Sequence, residues 1–239
     1  MTFGNTFEEI ASRLNNPKKI ETKYGYKIEA INESEFSLTQ LFFNKGFNGN
    51  INVLGGVLFI EKGKLLIDSF ETKKPIILES GKSVQIPKNF FCQIIVEEDT
   101  LAYLFFSKDN QDLLDLFPKS TFDVLEKYWG KIEKIYSDNI FSAKRIFMIS
   151  GKQSSLEYHC NKKEAYFLQS GKLKVGLRVG RAENKSIIMN PGDAFVIPRG
   201  TMHMRICLEN CVIIEISTKD DDKDSHLVED GQIYVHKEL

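Results

Sequence analysis

The chain has 239 residues, and its 32 lysines and arginines against 33 aspartates and glutamates give a formal net charge of −1. This balance excludes the broad basic surface of a general nucleic-acid-binding protein. Hydrophobic residues make up 42% and charged residues 27% of the chain, which is an ordinary globular composition, and no apolar run is long enough for a membrane span.

The beginning of the chain predicts a short helix. The apolar residues of 5–14 recur at helical spacing, and Asn5 or Thr6 is suitable as the N-cap. We therefore expect residues 1–22 to form an N-terminal helical arm.

Two β-rich regions follow. Short runs of β-branched and aromatic residues, separated by glycine, asparagine and charged residues, cover 23–108 and 127–218. Between them, residues 109–126 have helical periodicity, with Pro118 to bend or split the segment, and predict a helical linker. Residues 219–239 are an acidic segment and a C-terminal tail, which we expect to wrap around the second region or project from it.

The two β-rich regions repeat the same pattern of turn residues. The offset between matched residues grows from 104 (Lys23 to Lys127) to 111 (Gly81 to Gly192), as loop insertions would produce. Two copies of many short strands predict an all-β fold of two small barrels or jelly rolls.

The second region contains a group of residues suited to metal binding. Alternate residues of a strand share a face, so Glu157, His159 and Asn161 are expected to point the same way. Glu164 and His203, on other strands, complete an inward-facing cluster. Two imidazoles and a carboxylate are the ligands of a facial triad, which leaves open positions on the metal.

The spacing of these residues resembles the two sequence motifs of the cupin superfamily. The motif Gly-x5-Pro-x-Gly-x2-His is met in full from Gly192 to His203. The other motif, with two histidines and a glutamate, is met by His159 and Glu164, but Asn161 stands at the second histidine. The resemblance implies two tandem cupin barrels, that is, double-stranded β-helices of the jelly-roll type, and a divalent metal in the second.

Within the cupins, residues 127–231 resemble type II phosphomannose isomerase and the isomerase domain of mannose-1-phosphate guanylyltransferases. The matching segments include Tyr128-Trp129-Gly130, Ser155-Leu156-Glu157-Tyr158-His159 and Pro198-Arg199-Gly200. This resemblance implies a metal-dependent isomerase of sugars or sugar phosphates. It implies a metal held by His159, Glu164 and His203 with Asn161 as a fourth ligand, a base at Glu157, and substrate contacts from Lys144, Arg145, Tyr166 and Arg205.

Two other functions stay open. The same triad suits a non-haem iron oxygenase, and a barrel that has lost a ligand suits a non-catalytic protein that binds carbohydrate or nucleotide sugar.

Asn161 is a weaker transition-metal ligand than histidine, and this ligand set does not distinguish zinc, manganese, iron and nickel. Glu157, where the isomerases usually have glutamine, is suited to be either a compensating ligand or a base.

The first region has kept the turn residues and lost the ligands. Its corresponding positions are Ile51, Val53, Gly56 and Cys92, which do not form a metal site. We expect this barrel to serve packing or dimerisation, with an apolar ligand pocket as the alternative. The likeness to cupins, and the sheet edges that barrels leave, predict a homodimer.

We do not expect the remaining polar and sulfur-containing residues to belong to a functional site. The run Asp220–Asp224 predicts a solvated loop, and His226 and His236 lie in a polar tail. Cys207 and Cys211 predict small buried thiols. Four cysteines without a Cys-x-x-Cys pair, and no export signal, lead us to expect a cytoplasmic protein without disulfides or a zinc ribbon.

Overall fold

The computed structural model describes residues 6–53, 55–69, 74–108, 118–119 and 122–238. The chain divides into two compact units, and each has its own sheet. Unit 1 comprises residues 1–17 and 123–239, and unit 2 comprises residues 18–122.

The described residues form one α-helix, one short 3₁₀-helix and eighteen strands. The helices are α1 (Phe7–Ala11) and the 3₁₀-helix Asp222–Asp224. The strands of unit 2 are β2 (Lys19–Thr22), β3 (Gly25–Asn32), β4 (Phe36–Phe43), β5 (Asn48–Val53), β6 (Gly56–Asp68), β7 (Ile76–Glu79), β8 (Ser83–Ile86) and β9 (Phe90–Ser107). Those of unit 1 are β1 (Leu14–Asn15), β10 (Asp123–Lys127), β11 (Gly130–Ser137), β12 (Phe141–Met148), β13 (Leu156–Tyr158), β14 (Glu164–Arg178), β15 (Lys185–Met189), β16 (Ala194–Ile197), β17 (Met202–Thr218) and β18 (His226–Glu229).

Both units use the same antiparallel pairing scheme. In unit 2 the order is β2-β3-β4-β9-β6-β7, with β5 on β9 and β8 on β6. In unit 1 the order β10-β11-β12-β17-β14-β15 repeats it, with β13 on β17 and β16 on β14, and unit 1 adds β1 on β16 and β18 on β13. This agreement, strand for strand, confirms the all-β fold and supports the two-copy repeat inferred from the sequence.

Matching glycines open equivalent hairpins in the two units. Gly25 and Gly130 have φ of 144° and 145°. A side chain at either position would collide with the backbone carbonyl of a neighbouring strand residue, Phe42 or Phe147. Only glycine accepts both the positive φ and the close approach, which explains why these turn residues recur.

Each unit has its own apolar core. The core of unit 1 includes Trp129, Leu168 and Phe195, and that of unit 2 includes Phe43, Ile67 and Leu78. Burial alternates along the second half of β6, from Gly63 to Asp68, as expected where one face of a strand packs inward. None of the helices in the described parts of the chain has the length and apolar character needed to cross a membrane.

The N-terminal segment contributes to both sheets. Helix α1 begins after Thr6, whose side chain and that of Glu9 form a capping box, which confirms the predicted helix and one of its two caps. Ile10 is buried in the core of unit 1, and Leu14–Asn15 pairs with β16. Residues 19–22 are strand β2 of unit 2, so within the described part of this arm, residues 6–22, the α-helix covers 7–11 alone. The sequence predicted the apolar face of α1 but not its partner, which lies far along the chain.

The predicted helical linker is wrong where the structure describes it. Residues 109–117 and 120–121 of that segment lie outside the described residues. Asp123–Lys127 is strand β10, antiparallel to β11, and its first four residues belong to the predicted helix. A short mixed segment such as this one has little intrinsic preference, so pairing with β11 decides its conformation.

Candidate functional site

A polar cleft of about 230 Å³ opens in unit 1. Three of the residues that line it belong to the predicted metal cluster and are brought together by the fold: Glu157 on β13, His159 just after it, and Glu164 at the start of β14. His203, on β17, pairs with Glu157 across the strands and is 1% exposed. The structure therefore gathers four of the five residues of the predicted metal cluster.

Both imidazoles of the cluster are held in the same way. Nδ1 of His159 lies 2.9 Å from the backbone oxygen of Asp224, and Nδ1 of His203 lies 2.9 Å from that of Thr201. A carbonyl only accepts, so each Nδ1 carries the proton and donates it. In the neutral rings each Nε2 therefore has a free lone pair. Both Nε2 atoms are buried and have no hydrogen-bond partner.

The carboxylate of Glu164 lies beside both Nε2 atoms. Its Oε1 is 2.7 Å from Nε2 of His203, and its Oε2 is 3.7 Å from Nε2 of His159. The shorter contact lacks the alignment of a hydrogen bond, since His203 Nε2 has no hydrogen-bond partner. A carboxylate oxygen and an imidazole lone pair at this distance repel each other, and a proton or a metal ion between them relieves the repulsion.

Two further groups hold Glu164. The hydroxyl of Tyr166 donates to Oε1 at 2.5 Å, and Nζ of Lys162 lies 2.7 Å from Oε2. Burial acts to raise the pKa of Glu164, but Lys162 and His203 outweigh it and hold that pKa well below its usual value. The ionised carboxylate is thus stable in a buried place.

The pKa values of three groups around Glu164 shift in different directions. Burial lowers the pKa of His159. Burial also acts to lower the pKa of His203, but the neighbouring Glu164 carboxylate raises it overall. Burial raises the pKa of Tyr166 well above its usual value, so the phenol remains protonated and donates.

Buried cations and carboxylates alternate along one part of the cleft lining. Nζ of Lys144 lies 2.8 Å from Asp220 and 3.3 Å from Glu215. Nζ of Lys162 lies 3.4 Å from Asp220. Burial acts to lower the pKa of Lys162, but Glu164, Glu215 and Asp220 raise it, so the amine remains an ammonium. The network keeps every charge close to its opposite.

Glu157 occupies the more open side of the cluster. Its side chain is 23% exposed, its Oε2 accepts from the Ser225 hydroxyl at 2.7 Å, and its Oε1 lies 3.5 Å from Arg205. Burial acts to raise its pKa, but Arg205 and His203 lower it overall. One carboxylate oxygen of Glu157 and a nitrogen from each of His159 and His203 all lie within 4.8 Å of one another.

Two predicted site residues lie elsewhere. The side-chain amide of Asn161 donates to Asp224 at 3.2 Å, and Asn161 does not line the cleft. The guanidinium of Arg145 binds the carboxylate of Glu133 at 2.6 Å on the neighbouring strand and does not line the cleft either. Lys144 does line it, as does Arg205, which lies over the rings of Trp129 and Tyr166.

The acidic run at the start of the tail is not simply a solvated loop. Asp220 binds two buried lysines, and the carboxylate of Asp224 accepts from the backbone N–H groups of Cys160, Asn161 and Lys162. The expectation for Asp220 and Asp224 was therefore wrong. A run of acidic residues is normally predicted to be solvent-exposed, because the sequence does not show which of its members contact buried cations or backbone N–H groups.

Sequence reasoning also missed Lys162 and Glu215 as members of the site. Glu215 carries a visible signal, because it is a charged residue between Ile214 and Ile216 in the otherwise apolar stretch 211–216. Such a residue is buried only if it is paired. Lys162 has no comparable signal, since it lies in a polar loop.

Comparisons with known proteins agree with this architecture. Residues 133–233 match the Cupin family model. No curated protein matches the chain. The fold is similar to that of Lactobacillus farciminis oxalate decarboxylase in its formate complex, with a TM-score of 0.70, 14% identity, and coverage of 89% of this chain and 86% of that one. It is also similar to that of Bacillus subtilis oxalate decarboxylase, in a structure concerned with its Mn(II) centres, with a TM-score of 0.67, 13% identity, and coverage of 91% and 78%. The chain therefore has a cupin fold.

Proposed function

We propose that unit 1 binds a divalent metal ion through His159, His203 and a neighbouring carboxylate. The observation that carries this proposal is the pair of buried Nε2 atoms without hydrogen-bond partners, each on a ring whose Nδ1 is fixed by a backbone carbonyl. Metal-binding histidines in proteins are typically oriented by such a second contact. Leaving two buried imidazole lone pairs without a partner is otherwise costly.

The carboxylate ligand comes from Glu164 or Glu157. Glu164 lies closer to the imidazoles but is already bound by Lys162 and Tyr166. Glu157 also has two partners, the Ser225 hydroxyl and Arg205, but its side chain is more exposed, and it lies within 4.8 Å of both imidazole nitrogens. Either gives two nitrogens and one oxygen, a set that leaves open positions on the metal and suits manganese, iron, nickel or zinc.

We further propose that the cleft takes a small sugar or sugar phosphate and isomerises it, as the resemblance to phosphomannose isomerase suggests. Buried Lys144, Lys162 and Arg205 line the cleft and offer charge-assisted contacts to a phosphate or hydroxyl groups. The bound metal supplies polarisation of a carbonyl and the adjacent hydroxyl. Glu157, at the open side, is placed to move the proton between the two carbons.

Hydrogen exchange tests this reaction directly. Metal-loaded protein is incubated with an aldose phosphate in deuterium oxide, and deuterium at C2 is followed by NMR. We expect exchange in the native protein and a loss of at least about 100-fold in Glu157→Gln, the usual size of a general-base contribution. No exchange with any aldose or ketose phosphate would overturn the isomerase proposal. Oxygen consumption with iron(II) instead would indicate the oxygenase.

One observation favours a non-catalytic binding protein as the second candidate. Lys162 and Tyr166 occupy both oxygens of Glu164, and Asn161 is directed to Asp224, so the cluster holds together without a metal. This candidate predicts that a sugar or nucleotide sugar binds, as seen by calorimetry, while C2 exchange is absent in the same preparation.

We propose self-association through strand β10. Of the strands that the structure describes, β10 lies at one end of the unit 1 sheet, and all five of its residues are exposed. If two copies pair antiparallel about Leu125, Asp123 of each faces Lys127 of the other, which is a favourable cross-strand pair. Analytical ultracentrifugation tests this: a dimer that Leu125→Asp dissociates is expected, and a monomeric native protein would overturn it.

A further inference from the structure

A second group of metal-binding side chains lies on the surface of unit 1, apart from the cluster described above. It consists of Cys160, Asp224 and His226. Their donor atoms, a thiol sulfur, a carboxylate oxygen and an imidazole nitrogen, all lie within 4.8 Å of one another. The proposed isomerase reaction does not use any of the three side chains.

We propose that Cys160, Asp224 and His226 form a site for a thiophilic divalent cation such as zinc. Thiolate and imidazole favour ions of this class over magnesium and calcium, which prefer oxygen ligands. Three protein ligands and one water complete the four-coordinate geometry that zinc prefers.

The three ligands are held in place by hydrogen bonds, ring stacking and strand pairing. Asp224 is fixed by the backbone N–H groups of residues 160–162, at 2.8 to 3.1 Å. The ring of His226 stacks on Tyr158, with centroids 4.9 Å apart, and the same two residues pair between β13 and β18. Cys160 is exposed, and its backbone N–H donates to Asp224 at 2.9 Å. The site therefore needs little ordering when a metal arrives.

The distances suit one ion after a small adjustment. Nε2 of His226 lies 3.9 Å from Oδ1 of Asp224. Bonds to zinc of about 2.0 Å to nitrogen and about 2.3 Å to sulfur place tetrahedral ligand atoms about 3.5 Å apart. Rotation of the exposed Cys160 side chain closes the remaining gap. The Asn161 amide makes the longest hydrogen bond to the Asp224 carboxylate, at 3.2 Å, and is the one that the ion displaces.

The site adjoins the imidazole cluster at two points, because Cys160 directly follows His159 in the chain and Asp224 contacts both sites. The backbone oxygen of Asp224 accepts from Nδ1 of His159, while its carboxylate belongs to the surface site. The two sites nevertheless differ in ligand chemistry, because only the surface site contains sulfur. A probe that reports sulfur ligation therefore separates them.

Cobalt(II) is that probe. A thiolate bound to cobalt produces an intense charge-transfer band in the near ultraviolet, and nitrogen and oxygen ligands do not. We expect the full-length, chelator-treated and reduced protein to give this band on titration with cobalt(II). The band should be retained in His203→Ala, which impairs the other cluster. It should be lost in Cys160→Ser, and in His226→Ala the cobalt affinity should fall at least about tenfold.

His236→Ala, which changes a tail histidine outside the site, is the matched control and should keep the band. Absence of the band in reduced native protein would overturn the proposal, as would its persistence in Cys160→Ser. Equal cobalt affinity in His226→Ala and His236→Ala would also overturn it. Zinc should protect Cys160 from a thiol reagent in the native protein and not in His226→Ala, and this second readout does not depend on cobalt.

Discussion

The imidazole rings of His159 and His203 lie with their centroids 5.6 Å apart, and each donates its Nδ1 proton to a backbone carbonyl. One ring follows β13 and the other belongs to β17, so the pairing of these two strands sets their separation. The same contacts fix the tautomer of both rings. Strand pairing thus builds a pair of nitrogen ligands before any metal binds.

Lys162 stabilises the folded apo-protein by neutralising buried carboxylates. We predict that Lys162→Met lowers the free energy of unfolding by about 3–5 kcal/mol. The buried Glu164 carboxylate then loses its ammonium partner, and Asp220 loses one of its two lysine partners. Trp129, the one tryptophan of the chain, is buried in the core of unit 1 and reports the transition during urea denaturation by its fluorescence.

The double variant Lys162→Met/Glu164→Gln should lose less stability than the sum of the single variants, since the two groups interact directly. Lys19→Met, which breaks an exposed pair with Glu21, is the control and should change little. Additive effects in the double variant would contradict direct coupling.

Ile10 anchors the N-terminal helix to unit 1. It is 1% exposed in the same core as Trp129, so Ile10→Ala should destabilise unit 1 by about 2–5 kcal/mol through lost burial and a cavity. The Trp129 fluorescence transition should move to lower urea. Ile20→Ala, at a position 43% exposed on β2, should leave that transition in place. An equal shift in both variants would show that α1 does not pack as described.

One of the four cysteines should react quickly in the folded protein. Cys160 is exposed, whereas Cys92, Cys207 and Cys211 are buried. Burial raises the pKa of Cys92 to about 12, so at pH 8 it is almost entirely the unreactive thiol. Titration with a chromogenic disulfide should count one thiol in native protein and four in guanidinium chloride. Two or more fast thiols in the native state would contradict the described burial.

Replacing Glu157 should reduce turnover more than it reduces metal binding if Glu164 is the carboxylate ligand. We then expect Glu157→Gln to keep the metal and to lose at least about 100-fold in kcat, with a smaller change in KM. If Glu157 is the ligand, Glu157→Gln loses the metal as well. Metal content and kcat measured on one preparation separate the two cases, and full activity in Glu157→Gln would contradict both roles.

Much of this fold was readable from the sequence because turn glycines and β-rich runs are local signals. The helix at the N-terminus followed from apolar periodicity, the repeat from matched turn residues, and the proximity of His159, Glu164 and His203 from strand alternation and motif spacing. The partner of α1 and the strand at 123–127 did not, because both depend on contacts with distant segments. The predicted orientation of Asn161, on the same face as Glu157 and His159, also failed. The alternation rule applies only within a strand, and β13 ends at Tyr158, so the chain turns before reaching Asn161.

Elemental analysis of protein purified without chelator tests the metal site most directly. It is best done in the Cys160→Ser background, so that the surface site contributes nothing. We predict about one equivalent of a divalent transition metal, less than about a tenth of that in His159→Ala and in His203→Ala, and an unchanged content in His236→Ala. Protein that holds no metal even after incubation with manganese, iron, nickel and zinc, or that holds equal metal in His203→Ala, would contradict the proposed site.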